Sequence, residues 1–457
     1  MTNTAALNAL EHLLKKRLSR SESDRELHGR SESHFPTLPP DAVAYVESTE
    51  EVQQIMRICS EHSLPVIGWG TGTSLEGHTS APRGGLSVDF SRMNKVLHIN
   101  PSDMDVIVQP GLTREALNLQ LRHTGLFFTV DPGANASIGG MAATRASGTT
   151  TLRYGSMRDN VIGLQVVLAD GRVISTGTRA RKSASGYDLT ALFVGSEGTL
   201  GLITELSLRL HPEPEAISAG IVAFEHMDQA VNAVVDTIQY GLPMARLEFV
   251  DSATTAAFNL YAGTEMDEKP HLLFELHGSD QSVADHARSF GEICKEHGGE
   301  AFQWSSQTEE RRALWTLRHN AYYAILASRP GARAIVTDIC VPISKLAQAV
   351  EETRADIAAS PINGPILGHV GDGNFHAILL IDPENEAERA TASKISDRMA
   401  DRALNMGGTA TGEHGVGMGK LKFMDHEHGA GWSVMGDIKR QLDPHNILNP
   451  GKLIQQN

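Results

Sequence analysis

Cysteine is scarce: Cys59, Cys294 and Cys340 are the whole complement of a 457-residue chain, and no two form a CxxC pair. That excludes a disulfide framework, and it excludes an iron–sulfur site built from this chain alone. Positive charge is in deficit, with 40 Lys and Arg against 55 Asp and Glu and a formal net charge of −15. A balance of that sign disfavours nucleic acid as a partner, although a few local cations can still receive an anionic substrate. Nowhere do about 18 apolar residues run together, so no membrane span is expected. The amphipathic start, from Ala6 to Arg20, turns basic toward its end as a transit peptide does. Glu11 and the acidic stretch from Ser21 to Glu26 favour an ordinary surface helix instead.

Hydrophobic residues make up 40% of the chain and charged residues 21%, the balance of a folded globular protein. The length predicts two or three domains. Residues 1–212 carry short β-branched runs between glycine turns: Leu64-Pro-Val-Ile67, Val106-Ile-Val108 and Val161 to Leu168. Asp170-Gly171 before Arg172-Val-Ile174 is a hairpin signal. A helix is expected from Thr49, a candidate cap, to Ile58. His211-Pro-Glu-Pro-Glu215 is a breaker and marks a domain boundary. Beyond it, strands at Ala219–Phe224, Ala245–Val250 and Leu272–Leu276 alternate with helices at Met227–Gln239 and Val283–His297. This second domain, 213–424, is expected to be α+β, an antiparallel sheet with helices on one face. Residues 425–457 are too few for a domain and must pack on another.

Three loops of small residues fall in the first domain. They are Gly68-Trp-Gly-Thr-Gly-Thr-Ser-Leu-Glu-Gly77, Asp131-Pro-Gly-Ala-Asn-Ala-Ser-Ile-Gly-Gly140 with the run to Gly148, and Gly195-Ser-Glu-Gly-Thr-Leu-Gly201. The first follows a strand and can turn backbone N–H groups onto an anion. It is not a GxGxxG leading into a helix, so a Rossmann site is a poor reading. A tight loop in a β-rich fold explains the first cluster equally well. Three such loops together fit a long ligand with a pyrophosphate at its middle.

The second domain holds His369-Val-Gly-Asp-Gly-Asn-Phe-His376, two imidazoles about a strong turn. Among 20 histidines, such a pair is by itself more often coincidence than a site. Gly412-Glu-His-Gly415 adds a carboxylate and a third imidazole between glycines. Two neutral histidines and a carboxylate suit a divalent transition metal with an open position.

These motifs together resemble the FAD-binding family of vanillyl-alcohol oxidase type, in its D-lactate dehydrogenase and glycolate oxidase branch. The resemblance is carried by Gly70 to Gly77, Tyr154-Gly-Ser-Met-Arg-Asp-Asn-Val161, Gly195 to Gly201, Gly368 to His376, Thr411 to Gly417 and Asn449-Pro-Gly-Lys452. It extends through Leu314-Trp-Thr-Leu-Arg-His-Asn320 and Thr337-Asp-Ile-Cys-Val-Pro-Ile-Ser344. It implies an α+β fold: an FAD-binding domain of two subdomains, and an α+β cap domain with an antiparallel sheet over the flavin. The C-terminal segment would return to the FAD domain. The cofactor would be FAD, its pyrophosphate on Gly70, Thr71, Gly72, Thr73 and Ser74, with Gly77 closing the loop. The flavin and ribityl chain would lie near Pro132, Gly139, Gly140, Ala143 and Gly148, completed by Ile203 and Asn449. Some relatives attach flavin through a histidine of the first loop. None stands between Val66 and Gly77, and His78 lies just outside, so FAD is expected to be non-covalent.

The same resemblance makes His369, His376 and Glu413 ligands of a divalent metal, zinc or manganese, and His414 the catalytic base. Asn374 would sit beside the substrate. Arg318, by residue type an ordinary solvated cation, becomes the partner of the substrate carboxylate. Asp338 reads equally as a structural turn or strand-end acid and as a functional one, and Cys340, in an apolar run, is expected in the core. The implied reaction is oxidation of a small D-2-hydroxy acid to the 2-oxo acid. Dicarboxylate-using relatives tend to carry a Lys before the acid equivalent to Asp338, whereas Ala334-Ile-Val-Thr337 has no cation. D-lactate is therefore favoured over D-2-hydroxyglutarate, with glycolate as an alternative. Electrons would pass to a cytochrome, a quinone or an electron-transfer protein, because no nicotinamide fingerprint is visible. A cytoplasmic location is expected, at the membrane periphery if the acceptor requires it, and a homodimer is left open. The rival readings are a subunit of a multi-chain glycolate oxidase, a metal-dependent hydrolase and a non-catalytic flavin module.

Overall fold

A computed structural model describes residues 2–31 and 33–454. The chain divides into two compact units. One contains Met1–Ser147, Gly155–Glu213 and Glu413–Asn457; the other contains Gly148–Tyr154 and Pro214–Gly412.

Among the described residues, the first unit has two larger sheets, each with its own core. In one, Leu18–Ser19, Ala42–Tyr45, Leu86–Asp89 and Val66–Trp69 lie side by side, the last three parallel. Thr49–His62 packs on this sheet through Val52, Ile55, Met56 and Cys59, the apolar stripe that a 3.6-residue period sets up. Its cap is Ser48, which accepts from Glu51 N, and not Thr49, whose hydroxyl donates to Gln165 Oε1 at 2.8 Å. The N-terminal helix Thr2–Leu14 adds Ala6, Leu7, Leu10 and Leu14 to the same core. The second sheet is antiparallel, ordered Val96–Asn100, Asp105–Val108, Leu202–Arg209, Val161–Val167 and Val173–Gly177. Its last two strands form the hairpin marked by Asp170-Gly171, with Leu168 N bonded to Arg172 O. Residues His211–Pro212, read as a breaker, pair with Leu126–Phe127 before the chain leaves this unit.

The second unit is built on one antiparallel sheet. Its main path runs Glu300–Ser305, Ala216–Ala223, His271–Gly278, Met244–Val250, Ile366–Gly368, Asn374–Ile381 and Arg333–Val336, and Ile339–Cys340 also pairs with Asn374–Ile381. The helix Met227–Gln239 has the bounds expected from sequence. Asp280–Glu296 begins three residues before the expected start. The chain leaves this unit after Gly412, earlier than the boundary read at 424. Backbone N–H groups of Val416 and Gly417 bond instead to the Glu197 carboxylate of the first unit. Residues 148–154, read as part of the first domain, belong to the second.

Candidate active site

In the first unit the three small-residue loops converge. The strand Val66–Trp69 delivers the first, and a Cβ placed on Gly70 would lie 2.1 Å from Ser137 Oγ of the second loop. Gly139 opens the helix Ile138–Thr144 with its N–H on Pro110 O at 2.8 Å, and a Cβ there would meet Pro110 Cβ at 2.4 Å. Its lack of a side chain is thus required by packing. Gly195 N and Glu197 N reach Ala142 O and Ala143 O, fastening the third loop to the second. The C-terminal segment locks the assembly: Asn449 N bonds Val66 O, Asn449 Nδ2 donates to Glu197 O at 2.7 Å, and the buried Lys452 ammonium reaches Ser80 O and Asn449 Oδ1. Glu197 and Asn449 hold left-handed backbones, φ +55° and +41°, conformations that L side chains seldom adopt outside functional turns.

Gly70, Gly139, Gly140, Ala143 and Asn449 are thus tied together in this unit; Thr71, Gly72, Thr73, Ser74 and Gly77 continue the first loop, Pro132 lies in the second, and Ile203 is in the strand Leu202–Arg209. Gly148 instead opens the segment that belongs to the second unit. The region fits a phosphate-bearing cofactor, because Ser74 Oγ and Trp69 Nε1 are buried without a protein partner beside it. His78 is buried, its Nε2 3.2 Å from Glu197 Oε2. Burial alone would raise the Glu197 carboxyl. His78 and the N–H groups of Val416 and Gly417 outweigh it and hold the group below the ordinary range. In the same unit, Ser147 Oγ donates to Glu413 Oε2 at 2.9 Å, and His414 Nε2 lies 3.7 Å from Glu413 Oε1.

The second unit carries the histidine pair on one sheet face. His369 closes the strand Ile366–Gly368, a short turn follows, and Gly373, at φ +78°, returns the chain into Asn374–Ile381. The two rings stand edge to face at 5.7 Å, with ligand nitrogens within 4.8 Å of each other. His376 Nδ1 donates to Thr337 O at 2.9 Å, and His369 Nδ1 donates to Glu248 Oε1 at 2.7 Å. With Nδ1 protonated, each imidazole presents Nε2 as the donor atom, the tautomer a metal requires. The pair fits the nitrogen half of a two-histidine, one-carboxylate set.

Arg318, on the helix Thr308–His319, is only 8% exposed and so is no ordinary surface cation. Its Nη2 donates to Glu248 Oε2 at 2.7 Å, while its Nε is buried without a protein partner. Asn374 donates to Asp338 Oδ1 at 2.8 Å and to Ile339 O at 2.7 Å, leaving Oδ1 buried without a protein partner. Asp338, fully buried, also accepts from Thr411 Oγ1 at 2.7 Å. It thereby orients Asn374 and Gly412, where a Cβ would sit 2.1 Å from Asn374 Nδ2. Cys340 is half-buried and not in the core, and its Sγ donates to Asp372 O of the turn.

Sequence reasoning missed Glu248. It also missed Tyr154, His277 and Glu275, whose polar groups form a hydrogen-bonded chain that ends on buried groups: Tyr154 Oη to His277 Nδ1 at 2.7 Å, and His277 Nε2 to Glu275 Oε1 at 2.8 Å. Charged residues inside otherwise apolar strands were the available signal, because a buried charge needs a partner.

Three converging small-residue loops in one unit and a large antiparallel sheet in the other are the architecture of a flavin-dependent oxidoreductase. The chain belongs to the FAD-linked oxidases, in the branch of the D-lactate dehydrogenases and glycolate oxidases. Residues 40–177 match the FAD binding domain model, and residues 213–453 match the model of the FAD linked oxidases, C-terminal domain. The chain is 47% identical over 435 residues to the probable mitochondrial D-lactate dehydrogenase of Danio rerio, covering 94% of this chain and 88% of that one. It is 42% identical over 451 residues to the mitochondrial D-lactate dehydrogenase [cytochrome] of Arabidopsis thaliana, covering 98% and 80%. The fold is that of 4-ethylphenol oxidase from Gulosibacter chungangensis, with a TM-score of 0.80 at 19% identity, over 99% of this chain and 97% of that one. The vanillyl-alcohol oxidase type of α+β fold expected from the motifs is thus present.

One expectation is overturned. Both relatives are named as mitochondrial, which does not support the cytoplasmic reading. Compartment is set by address segments that receptors read, and the pattern of a folded core carries no record of it. No helix among the described residues is long and apolar enough to cross a membrane.

Proposed function

We propose that this FAD-linked oxidase converts D-lactate to pyruvate and passes the electrons to a cytochrome, in mitochondria. The observation that carries the substrate reading is the cluster around Glu248, where Arg318 and His369 bind the two oxygens of one buried carboxylate. A guanidinium suited to a substrate carboxylate therefore stands beside an imidazole suited to a metal. The names of the relatives support D-lactate, the cytochrome and the compartment.

In this reading His369, His376 and Glu413 hold a divalent ion, zinc or manganese, and the three loops hold FAD without a covalent bond. When bound, FAD supplies the hydride acceptor and the ion supplies positive charge that makes the substrate hydroxyl more acidic. Arg318 grips the substrate carboxylate and fixes which face of the carbon is presented. His414 takes the hydroxyl proton, as an imidazole can near neutral pH. Asn374, held by Asp338, turns its orphaned Oδ1 toward the ligand. The stretch Ala334-Ile-Val-Thr337 before Asp338 carries no cation to meet a second substrate carboxylate. That favours a monocarboxylate over D-2-hydroxyglutarate.

The test is anaerobic addition of D-lactate to purified protein while the flavin absorbance is followed. Bleaching by D-lactate and not by L-lactate is expected. A flavin that D-lactate leaves oxidised in the metal-loaded protein overturns the substrate, and protein that cannot hold FAD overturns the whole reading.

A further inference from the structure

The geometry points to Glu248 as a positioning residue that sets the metal-type imidazole of His369 and the guanidinium of Arg318 together. This rests on the roles proposed above for those two residues. Glu248 sits in the strand Met244–Val250, opposite Leu273 on one side and one residue before Phe249, which pairs with Gly368 on the other. That register puts its side chain beside His369, the residue after Gly368. The carboxylate is 1% exposed, and each oxygen has one charged or polar partner at 2.7 Å, His369 Nδ1 on Oε1 and Arg318 Nη2 on Oε2.

Two consequences follow from the chemistry of that fork. Accepting from Nδ1 fixes the His369 tautomer and ring plane, so that Nε2 is the nitrogen offered to a ligand. Accepting from one Nη of Arg318 fixes the guanidinium plane and leaves its remaining N–H groups to meet a substrate carboxylate. Only a carboxylate can serve both donors. An amide has one acceptor oxygen, and its NH₂ would face a donor on the other arm.

The experiment compares wild type, Glu248→Gln and Glu248→Asp, each dialysed free of metal and then titrated with Mn²⁺ alone by calorimetry. The KM for D-lactate and the FAD content are measured on the same samples. In Glu248→Gln, Mn²⁺ affinity is expected to fall roughly 10–100-fold, the usual effect of losing a partner behind a ligating histidine. KM should rise in parallel, with FAD content unchanged. Glu248→Asp keeps the charge but shortens the reach, so both quantities should move the same way by less. It decides the question if the amide variant does not fold. In a His369→Ala background, Glu248→Gln should cost no further Mn²⁺ affinity.

Wild-type Mn²⁺ affinity and KM in the folded variants overturn the inference while leaving the proposed function standing. So does a full additional loss in the His369→Ala background. A wild-type protein that takes up neither Mn²⁺ nor Zn²⁺ overturns the metal reading and this inference with it.

Discussion

The Glu197 carboxylate accepts the backbone N–H of Val416 at 2.6 Å, and its second oxygen accepts from Gly417 at 2.9 Å. One side chain of the third glycine loop thus anchors the turn that follows Glu413 and His414. Removing it strips two charge-assisted bonds from buried N–H groups, a loss of about 2–4 kcal/mol. Glu197→Ala is expected to lower the unfolding midpoint and to reduce kcat, because the Glu413-His414 turn loses its tether. Thermal unfolding and steady-state turnover of the same preparation check both effects. Loss of stability at unchanged kcat would separate the tether from the chemistry.

Arg318→Ala is expected to raise KM for D-lactate at least about tenfold, the scale of a charged hydrogen bond worth roughly 1.5–3 kcal/mol. The variant also leaves Glu248 buried without its cation, so stability should fall as well. Arg318→Lys retains the charge but not the planar fork, and should recover stability better than KM. A KM unchanged in Arg318→Ala would remove the residue from substrate binding.

The parts of this site that were legible in the sequence are local. His369 and His376 could be paired because the turn between them is written in Gly371, Asp372, Gly373 and Asn374. The loop glycines could be read as a cradle because close approach demands small residues wherever it occurs. Glu248 was not legible, because its role depends on register: Leu273, Gly368 and the helix bearing Arg318 come from distant stretches of chain. Within Met244–Val250 it reads only as a charge in an apolar strand. Arg318 was placed by resemblance alone, since nothing near it in sequence announces a buried acid. The helix beginning after Ser48 shows the smaller error, one residue in the cap, where adjacent Ser and Thr are chemically interchangeable.

Asp251 gives stability a pH dependence of unusual sign. It caps the helix Ser252–Ala262, accepts from Thr254 N and Oγ1, and receives Ile366 N on its other oxygen. Burial outweighs these bonds and pushes the carboxyl from 3.8 to about 6. Between those values the folded protein holds a proton that the unfolded chain has released. Its contribution is therefore full below pH 3.8 and is lost as pH rises toward 6. Asp251→Asn keeps the cap, loses the bond to Ile366 N and cannot titrate. Its urea midpoint should lie below wild type at pH 4 and gain on wild type by pH 6.5. Parallel curves for the two proteins would show that Asp251 titrates in its ordinary range.

Asp338 is expected to act through geometry. Its two oxygens hold Asn374 Nδ2 and Thr411 Oγ1, so Asp338→Ala frees Asn374 to turn and withdraws support from Thr411. Turnover of D-lactate should fall and KM should rise. Asp338→Asn can keep its oxygen toward Asn374 and turn its NH₂ toward Thr411, whose hydroxyl can rotate to accept. It should therefore recover most of what the alanine variant loses. If the asparagine variant is as impaired as alanine, the negative charge itself is needed. His376, whose Nδ1 is bonded to Thr337 O and lies 3.8 Å from Asp338 Oδ1, is then a group on which that charge acts through space.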